Sequence, residues 1–221
     1  MAREFPGNST RKTETLAFTR PKLLLAGGTA LLLCVVVGAV YILGLPPFEK
    51  KGEIRVSAVC RTLGSPSSSA AVLRKILPDK PSYSFDDSMT DPRTDDMDRT
   101  YETSCFVNGD GKLLVAARAE MLEYEKVDSW VKEVVEQFTP ASSLVSFDAG
   151  DKAVTSSKVA AIYVPCIRKG AVEHVSVVVE LKQHGSATNA ELRNGLASLA
   201  RNAALFAHEK ARCDAPSKVT R

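Results

Sequence analysis

Histidine side chains are the most frequent acid–base catalysts in enzymes, so they are the first residues to consider for chemistry. The chain of 221 residues has three, His174, His184 and His208. His174 lies on the more polar side of an alternating segment, His184 precedes a Gly-Ser pair, and His208 lies near the end of a helical pattern, where a cation complements the helix dipole. No nucleophile elbow, phosphate loop, H-E-x-x-H helix or S-x-x-K set accompanies them. The sequence therefore predicts no catalytic residue and no cofactor.

Carboxylates are concentrated in one polar stretch, residues 79–99. Six aspartates lie between Asp86 and Asp98, with adjacent pairs at Asp86–Asp87 and Asp95–Asp96. This composition is typical of a solvated loop. Calcium binding is the alternative, but the stretch lacks the D-x-D-x-D-G order and closing glutamate of a calcium loop, and two arginines offset part of its charge. No metal site is predicted.

Cysteine spacing indicates disulfides rather than a metal site. Four cysteines lie outside the uncharged segment 23–45: Cys60, Cys105, Cys166 and Cys213. Zinc ligands usually come in much closer pairs than these. An even set of cysteines fits an oxidising compartment. Three pairings are possible, and we favour Cys60 with Cys105 and Cys166 with Cys213, because each bond then ties one helix to one strand.

Residues 23–45 contain no charged side chain. As a helix they would be about 34 Å long, enough to cross a hydrocarbon core of about 30 Å. A buried core helix or a cleaved signal peptide is the alternative, but both usually have shorter apolar runs. A lipid anchor at Cys34 is excluded, because leucines precede it where processing needs a small residue. We therefore predict a transmembrane helix over 23–45.

Charge is distributed unevenly around this predicted span. Residues 1–22 carry five basic and two acidic side chains, whereas residues 46–221 carry 24 of each sign. The positive-inside rule then places a basic arm, 1–22, in the cytoplasm and the long remainder outside. The arm suits anionic membrane lipid, and nothing in the neutral remainder indicates nucleic-acid binding. Beyond the span we predict a stalk over 46–53, an extracytoplasmic domain over 54–213 and a flexible tail over 214–221.

Hydrophobic periodicity predicts the elements of this domain. A strand is expected from Ile54, a helix over 69–77, a hairpin over 101–121, and a helix over 127–138 ended by Thr-Pro. The second half repeats the order, with strands near 144–147, 159–167 and 172–183 and a last helix that begins at a Thr188–Glu191 capping box. The predicted fold is α+β, an antiparallel sheet of about five to seven strands with about three helices on one face, preceded by one transmembrane helix.

The two halves can also be aligned with each other. Cys105 and Cys166 are each followed four residues later by a glycine, then by a long strand and a helix. This order is compatible with an internal duplication and equally with two ordinary hairpin–helix units.

The layout resembles that of a known group of proteins. A membrane anchor, a linker, Cys60 before a short apolar helix over 72–77, and Cys105 in the hairpin YETSCFVNGDG are similar to features of the extracytoplasmic domains of uncharacterised actinobacterial single-pass membrane proteins and lipoproteins. The extracytoplasmic sensor domains of some actinobacterial kinases are a more distant resemblance. The resemblance implies a domain outside the membrane and no known enzymatic activity.

These observations predict a single-pass membrane protein that presents a disulfide-bonded, non-catalytic binding or protein-interaction module of the cell envelope. Its expected partners are membrane lipid and an envelope protein or small ligand. Two alternatives remain. One is an envelope hydrolase that uses the acidic stretch or His174, and the other is a structural partner in an envelope complex that docks through the last helix.

Overall fold

The computed structural model describes residues 32–39, 51–90, 101–123, 126–168 and 170–220. The chain divides into two compact units, Met1–Lys50 and Lys51–Arg221. In the first unit, residues 32–39 form a helix, α1, inside the predicted span. The rest of that span, the arm and most of the stalk lie outside the described residues. Within the described ranges, no helix combines the length and apolar character needed to cross a bilayer.

The second unit is built on a seven-stranded antiparallel sheet with the strand order β1-β2-β3-β7-β6-β5-β4. The strands are β1 (Tyr83–Thr90), β2 (Glu102–Gly109), β3 (Lys112–Glu123), β4 (Val145–Ser146), β5 (Lys152–Thr155), β6 (Val159–Arg168) and β7 (Ala171–Leu181). The predicted hairpin is β2–β3, and its turn residues Asp110 and Gly111 both have positive φ, 51° and 69°. The α+β class with an antiparallel sheet is confirmed.

Three helices accompany the sheet. They are α2 (Pro66–Ile76), α3 (Val127–Trp130), which continues into a π-helical turn (Val131–Val135), and α4 (Asn189–Lys210). The predicted capping box at the start of α4 is present, with both the Thr188 and the Glu191 side chains bonded to the backbone of the other residue. Its two reciprocal hydrogen bonds satisfy backbone donors that the first turn of a helix leaves unpaired.

The helices lie on opposite faces of the sheet. Helices α2 and α4 cover one face of the sheet over the main core. Residues 127–138, which we call the α3 segment, cover part of the other face, the second sheet face, over a smaller core around Trp130. Strand β6 shows why both sides need cover, because Ala160, Ile162 and Val164 join the main core while Val159, Ala161 and Tyr163 join the smaller one. The prediction that about three helices share one face is therefore wrong. The helices also do not repeat in space, which favours two separate hairpin–helix units.

Part of the predicted acidic loop is a strand instead. Residues Tyr83–Thr90 form the edge strand β1, with half-buried and exposed residues in strict alternation. Phe85 packs against the main core from the inward face. The pattern was obscured because the inward positions also include Asp87, a residue that is seldom buried without a partner.

Two smaller expectations also differ from the structure. Ile54 is buried, but Val56–Ala58 form a single 3-10 turn rather than a strand. Residues 214–220, predicted as a flexible tail, lie against the domain. The Asp214 amide donates to the Ile167 carbonyl over 2.7 Å, and Val219 is packed in the main core.

The structure contains two disulfides, Cys60–Cys105 and Cys166–Cys213, the same pairs that the sequence favours. The first joins the residue before a short 3-10 helix (Arg61–Leu63) to β2, and the second joins β6 to the residue group after α4. Each therefore ties a helical segment to a strand in its own half of the domain. Cys34 is the free cysteine among the described residues, and it is exposed on α1.

Candidate functional site

A groove lies where the α3 segment leaves the second sheet face uncovered. The segment covers β5, β6 and β7, while the outward residues of β1 and β2 stay exposed or half-buried. The groove has a volume of about 350 Å³. Its wall is formed by strand residues from β2, β3 and β7 on one side and by the end of the α3 segment on the other: Phe106, Leu113, Ala116, Arg118, Glu120, Ser176, Val178, Glu180 and Lys182, with Val134, Gln137 and Phe138.

Trp130 positions the helical side of this groove. Its indole N–H donates to the Ser176 hydroxyl oxygen over 2.9 Å, and its ring lies 5.2 Å from that of Tyr163. The following turn is π-helical, with the Glu136 amide bonded to the Val131 carbonyl five residues earlier. The wider turn directs Val135 into the smaller core, while Val134 lines the groove. The helix is thus fixed by one buried bond close to the groove wall.

The groove combines an apolar floor with charged rims. Phe106, Phe138 and Val178 supply apolar surface. The Arg118 guanidinium lies 5.8 Å from the centre of the Phe106 ring, within the range of a cation–π contact. Lys182 is paired with Glu180 over 2.6 Å at the other rim. Such a site suits a ligand or peptide with an apolar body and a polar or charged end.

His174 has a carboxylate partner, as an acid–base residue would. Its Nε2 lies 3.3 Å from Asp151 Oδ2, and its ring stacks on Tyr163 with centroids 4.1 Å apart. The other oxygen of Asp151 is bound by Lys218 Nζ over 2.6 Å. The nearest hydroxyl along the same strand face, Ser176, is buried and accepts the Trp130 bond. The pair therefore has an orienting acid and a base, while the hydroxyl beside it on the strand already accepts another hydrogen bond.

The other two histidines are not arranged for catalysis in the described structure. His184 is exposed, and its Nδ1 lies 2.7 Å from the neighbouring Gly185 carbonyl. Burial holds the pKa of His208 below its usual value, against a smaller opposing effect of the Ala215 backbone. The expected cation at the end of α4 is thus disfavoured at this position.

The acidic pairs do not form a catalytic dyad in the described part of the chain. Asp86 and Asp87 are consecutive in β1, so their side chains point to opposite faces of the sheet. Asp87 accepts hydrogen bonds from the Arg61 and Thr62 amides and from the Thr62 hydroxyl. It holds the 3-10 helix in place, which is a structural role. Asp95–Asp96 lies outside the described residues.

A second, more polar groove of about 620 Å³ runs between the start of α2 and α4. Asn202 of α4 donates to the hydroxyls of Ser68 and Ser69 there, each over 3.2 Å. The α4 residues that line this groove are half-buried except for Glu209, and they form the part of the last helix on which the structural-partner alternative depends. Within the described ranges, no group of three or more potential ligands could hold a metal ion.

No protein-family model matches this chain, and no curated protein or solved structure matches it either. The groove was not predicted from the sequence. Its aromatic residues, Phe106 and Phe138, come from separate elements, and only the position of α3 on the second sheet face brings them together. The signal that was available is Phe106 itself, an apolar residue at an outward position of a strand.

Proposed function

We propose that residues 51–221 form a non-catalytic binding or protein-interaction domain of the cell envelope. A single transmembrane helix over 23–45 would hold it at the extracytoplasmic face of the cell membrane. The observation that carries this proposal is the groove beside Phe106. It lies on a sheet face that is only half covered, next to a helix fixed by the Trp130–Ser176 bond. An envelope protein segment or small ligand with an apolar body is the expected occupant.

One feature supports the location outside the cytoplasm and a second supports the membrane anchor. Both disulfides lie in the domain, and disulfides persist in oxidising compartments. In the first unit, the apolar side chains of α1 are exposed, with Leu32 at 68% and Val35 at 63% of their maximal exposure. Apolar side chains of this size on a continuous helix face favour contact with lipid over contact with water.

Topology can be tested by labelling in intact cells. Ser186 is exposed in the domain, and Ser9 belongs to the basic arm. In a C34S background, we expect a membrane-impermeant maleimide to label S186C in intact cells and S9C only after lysis. Labelling of S9C in intact cells, with S186C protected, would reverse the proposed orientation.

Binding at the groove can be tested by photo-crosslinking from a single position. Phe106 is replaced by p-benzoylphenylalanine in the full chain, in its own membrane. The matched control is the same replacement at Phe147, a half-buried phenylalanine under the Arg201 guanidinium and outside this groove. We expect a discrete adduct from position 106 and none from 147. Equal adducts from both positions, or none from 106, would count against the groove as the binding site.

A hydrolase that uses His174 is the second candidate, favoured by the contact between His174 and Asp151. It predicts that purified full-length protein hydrolyses a panel of ester and amide substrates, and that His174→Ala abolishes the activity while leaving the melting temperature nearly unchanged. No activity at all favours the binding domain, whereas activity that survives this substitution excludes His174 as the catalytic residue.

A further inference from the structure

Five lysines gather at one end of the sheet, which we call the lysine end: Lys51, Lys80, Lys112, Lys158 and Lys182. They come from five separate segments of the chain. Lys51 begins the domain, Lys80 precedes β1, Lys112 begins β3, Lys158 precedes β6 and Lys182 follows β7.

Backbone contacts bring these segments side by side. The Gly52 amide donates to the Lys80 carbonyl over 2.7 Å, and the Lys80 side chain lies against Gly109, the cross-strand partner of Lys112. On the far side of the same end, the Lys182 amide donates to the Leu114 carbonyl over 2.8 Å, and the Leu181 amide donates to the Lys158 carbonyl over 2.7 Å. The antiparallel order of the strands thus places all five residues at the same end of the sheet.

Three of these cations have no carboxylate to neutralise them among the described residues. Lys51 is paired with Asp79, and Lys182 with Glu180. Lys80, Lys112 and Lys158 form no ion pair within the described part of the chain, and the last two are exposed. Asp110, in the turn before Lys112, adds a third carboxylate to Asp79 and Glu180 at this end, against five lysines. The lysine end therefore keeps a net positive charge although residues 46–221 as a whole are neutral.

The position of this end in the chain is the second observation. Lys51 is the sixth residue after Leu45, the last residue of the predicted span. Even fully extended, six residues reach only about 20 Å. If residues 23–45 span the membrane, the end that carries Lys51 lies at most about 20 Å from the membrane surface, which is about two and a half Debye lengths at physiological ionic strength, where one such length is about 8 Å.

We propose that the lysine end binds the anionic headgroups of the outer leaflet and so fixes the orientation of the domain on the membrane. This inference rests on the proposed membrane anchoring. Lysine is a strongly hydrated point charge that attracts anionic lipid without a shaped pocket, which agrees with the exposed positions of Lys112 and Lys158. The opposite end of the sheet, with the tip of the β6–β7 hairpin, then faces away from the membrane and towards partners.

Trp130 is the only tryptophan of the chain, so it can report the approach of the domain to lipid. The full chain is reconstituted in phosphatidylcholine vesicles with a dansyl-headgroup lipid, with or without phosphatidylglycerol, and energy transfer from Trp130 to dansyl is measured. We expect transfer to rise when phosphatidylglycerol is added, and the rise to disappear in high salt because the attraction is screened. The salt arm uses the unaltered protein, so it does not depend on any variant folding.

The variant K80E/K112E/K158E is expected to lose the rise in transfer that phosphatidylglycerol causes. The matched control, K126E/K132E/K210E, changes net charge equally at lysines of α3 and the end of α4, and should keep it. Equal transfer in both lipids, or an unchanged triple variant, would overturn the proposal. Failure of the membrane anchoring is distinguishable, because that protein would not float with the phosphatidylcholine vesicles at all.

Discussion

Trp130 and Ser176 are joined by a hydrogen bond of 2.9 Å between two fully buried side chains. It is a polar link between the α3 segment and the central strand β7, inside a core of otherwise apolar contacts. A single hydroxyl therefore supports the helix that forms one wall of the groove.

Replacing Ser176 by alanine should destabilise the domain, because the indole N–H is left buried without an acceptor. The expected loss is about 1–3 kcal/mol in the free energy of unfolding. Denaturant unfolding followed by Trp130 fluorescence measures it. Ser104→Ala is the control. Ser104, in β2, lies on the same face of the sheet as Ser176, but it is only half-buried and its hydroxyl can turn to water. Equal losses in the two variants would show that the bond contributes nothing specific.

Tyr101 offers the opposite case, a buried hydroxyl without a hydrogen-bond partner among the described residues. Tyr101→Phe should keep or raise stability by up to about 1 kcal/mol, because an unpaired polar atom is removed. Tyr83→Phe is the contrast. Its hydroxyl donates to the Pro78 carbonyl over 2.7 Å, so its loss should cost about 1 kcal/mol. Thermal unfolding of both variants decides between these outcomes, and a clear loss for Tyr101→Phe would contradict the expectation.

Alkaline pH should destabilise the domain through Tyr101. Burial, and secondarily the charge of Asp87, raise the pKa of Tyr101 well above its usual value. A raised pKa in the folded state means stability that is complete below the unfolded pKa, about 10, and lost as pH rises beyond it. Tyr101→Phe should therefore lose less stability above about pH 10 than the unaltered chain. Parallel curves of melting temperature against pH would refute this.

The capping box of α4 should respond to acid. Hydrogen bonds from the Thr188 backbone, then from Lys75 and the Thr188 side chain, lower the pKa of Glu191 to about 2. A lowered carboxyl pKa gives stability that is present above the unfolded value, about 4.3, and lost as pH falls towards the folded one. Glu191→Gln should flatten that part of the stability profile. The control is Glu209→Gln at the other end of α4, because Glu209 takes no part in the capping box, and equal changes of the profile in both variants would contradict the prediction.

Each disulfide closes a loop with a sequence separation of 45 or 47 residues. In the chain-entropy model, a loop of this size contributes about 4 kcal/mol. The two bonds differ in access, because Cys213 is half-buried while Cys60, Cys105 and Cys166 are fully buried. With increasing dithiothreitol, alkylation followed by mass spectrometry should find Cys166 and Cys213 modified first. Simultaneous modification of all four would indicate that reduction requires global unfolding.

The sequence predicted those elements whose patterns are local. The β2–β3 hairpin has a turn of Asn, Asp and glycine between alternating apolar residues, and α4 has a capping box and a long apolar stripe. Each cysteine pair lies within its own half of the domain, so the same local order favoured the pairing that the structure contains.

Relationships between distant elements could not be read in the same way. The apolar stripe of α3 indicates that the helix packs on something, but not on which face of the sheet. Strand β1 was missed because Asp87 occupies an inward position, where its charge is matched by the amides of Arg61 and Thr62. Those donors are 25 and 26 residues away in sequence, so only the folded chain shows that the carboxylate is satisfied there.

The pairing of β3 with β7 has a further consequence for how the domain forms. Its cross-strand partners, from Glu123 with Glu173 to Val115 with Leu181, join the two halves of the domain, whereas each disulfide and each long hairpin lies within its own half. Closing a long loop costs more chain entropy than forming a local contact, so it is slower. We expect each half to form its hairpin first and the β3–β7 pairing to form last. Pulse-labelled hydrogen exchange should then find late protection concentrated in the amides that hydrogen-bond between β3 and β7.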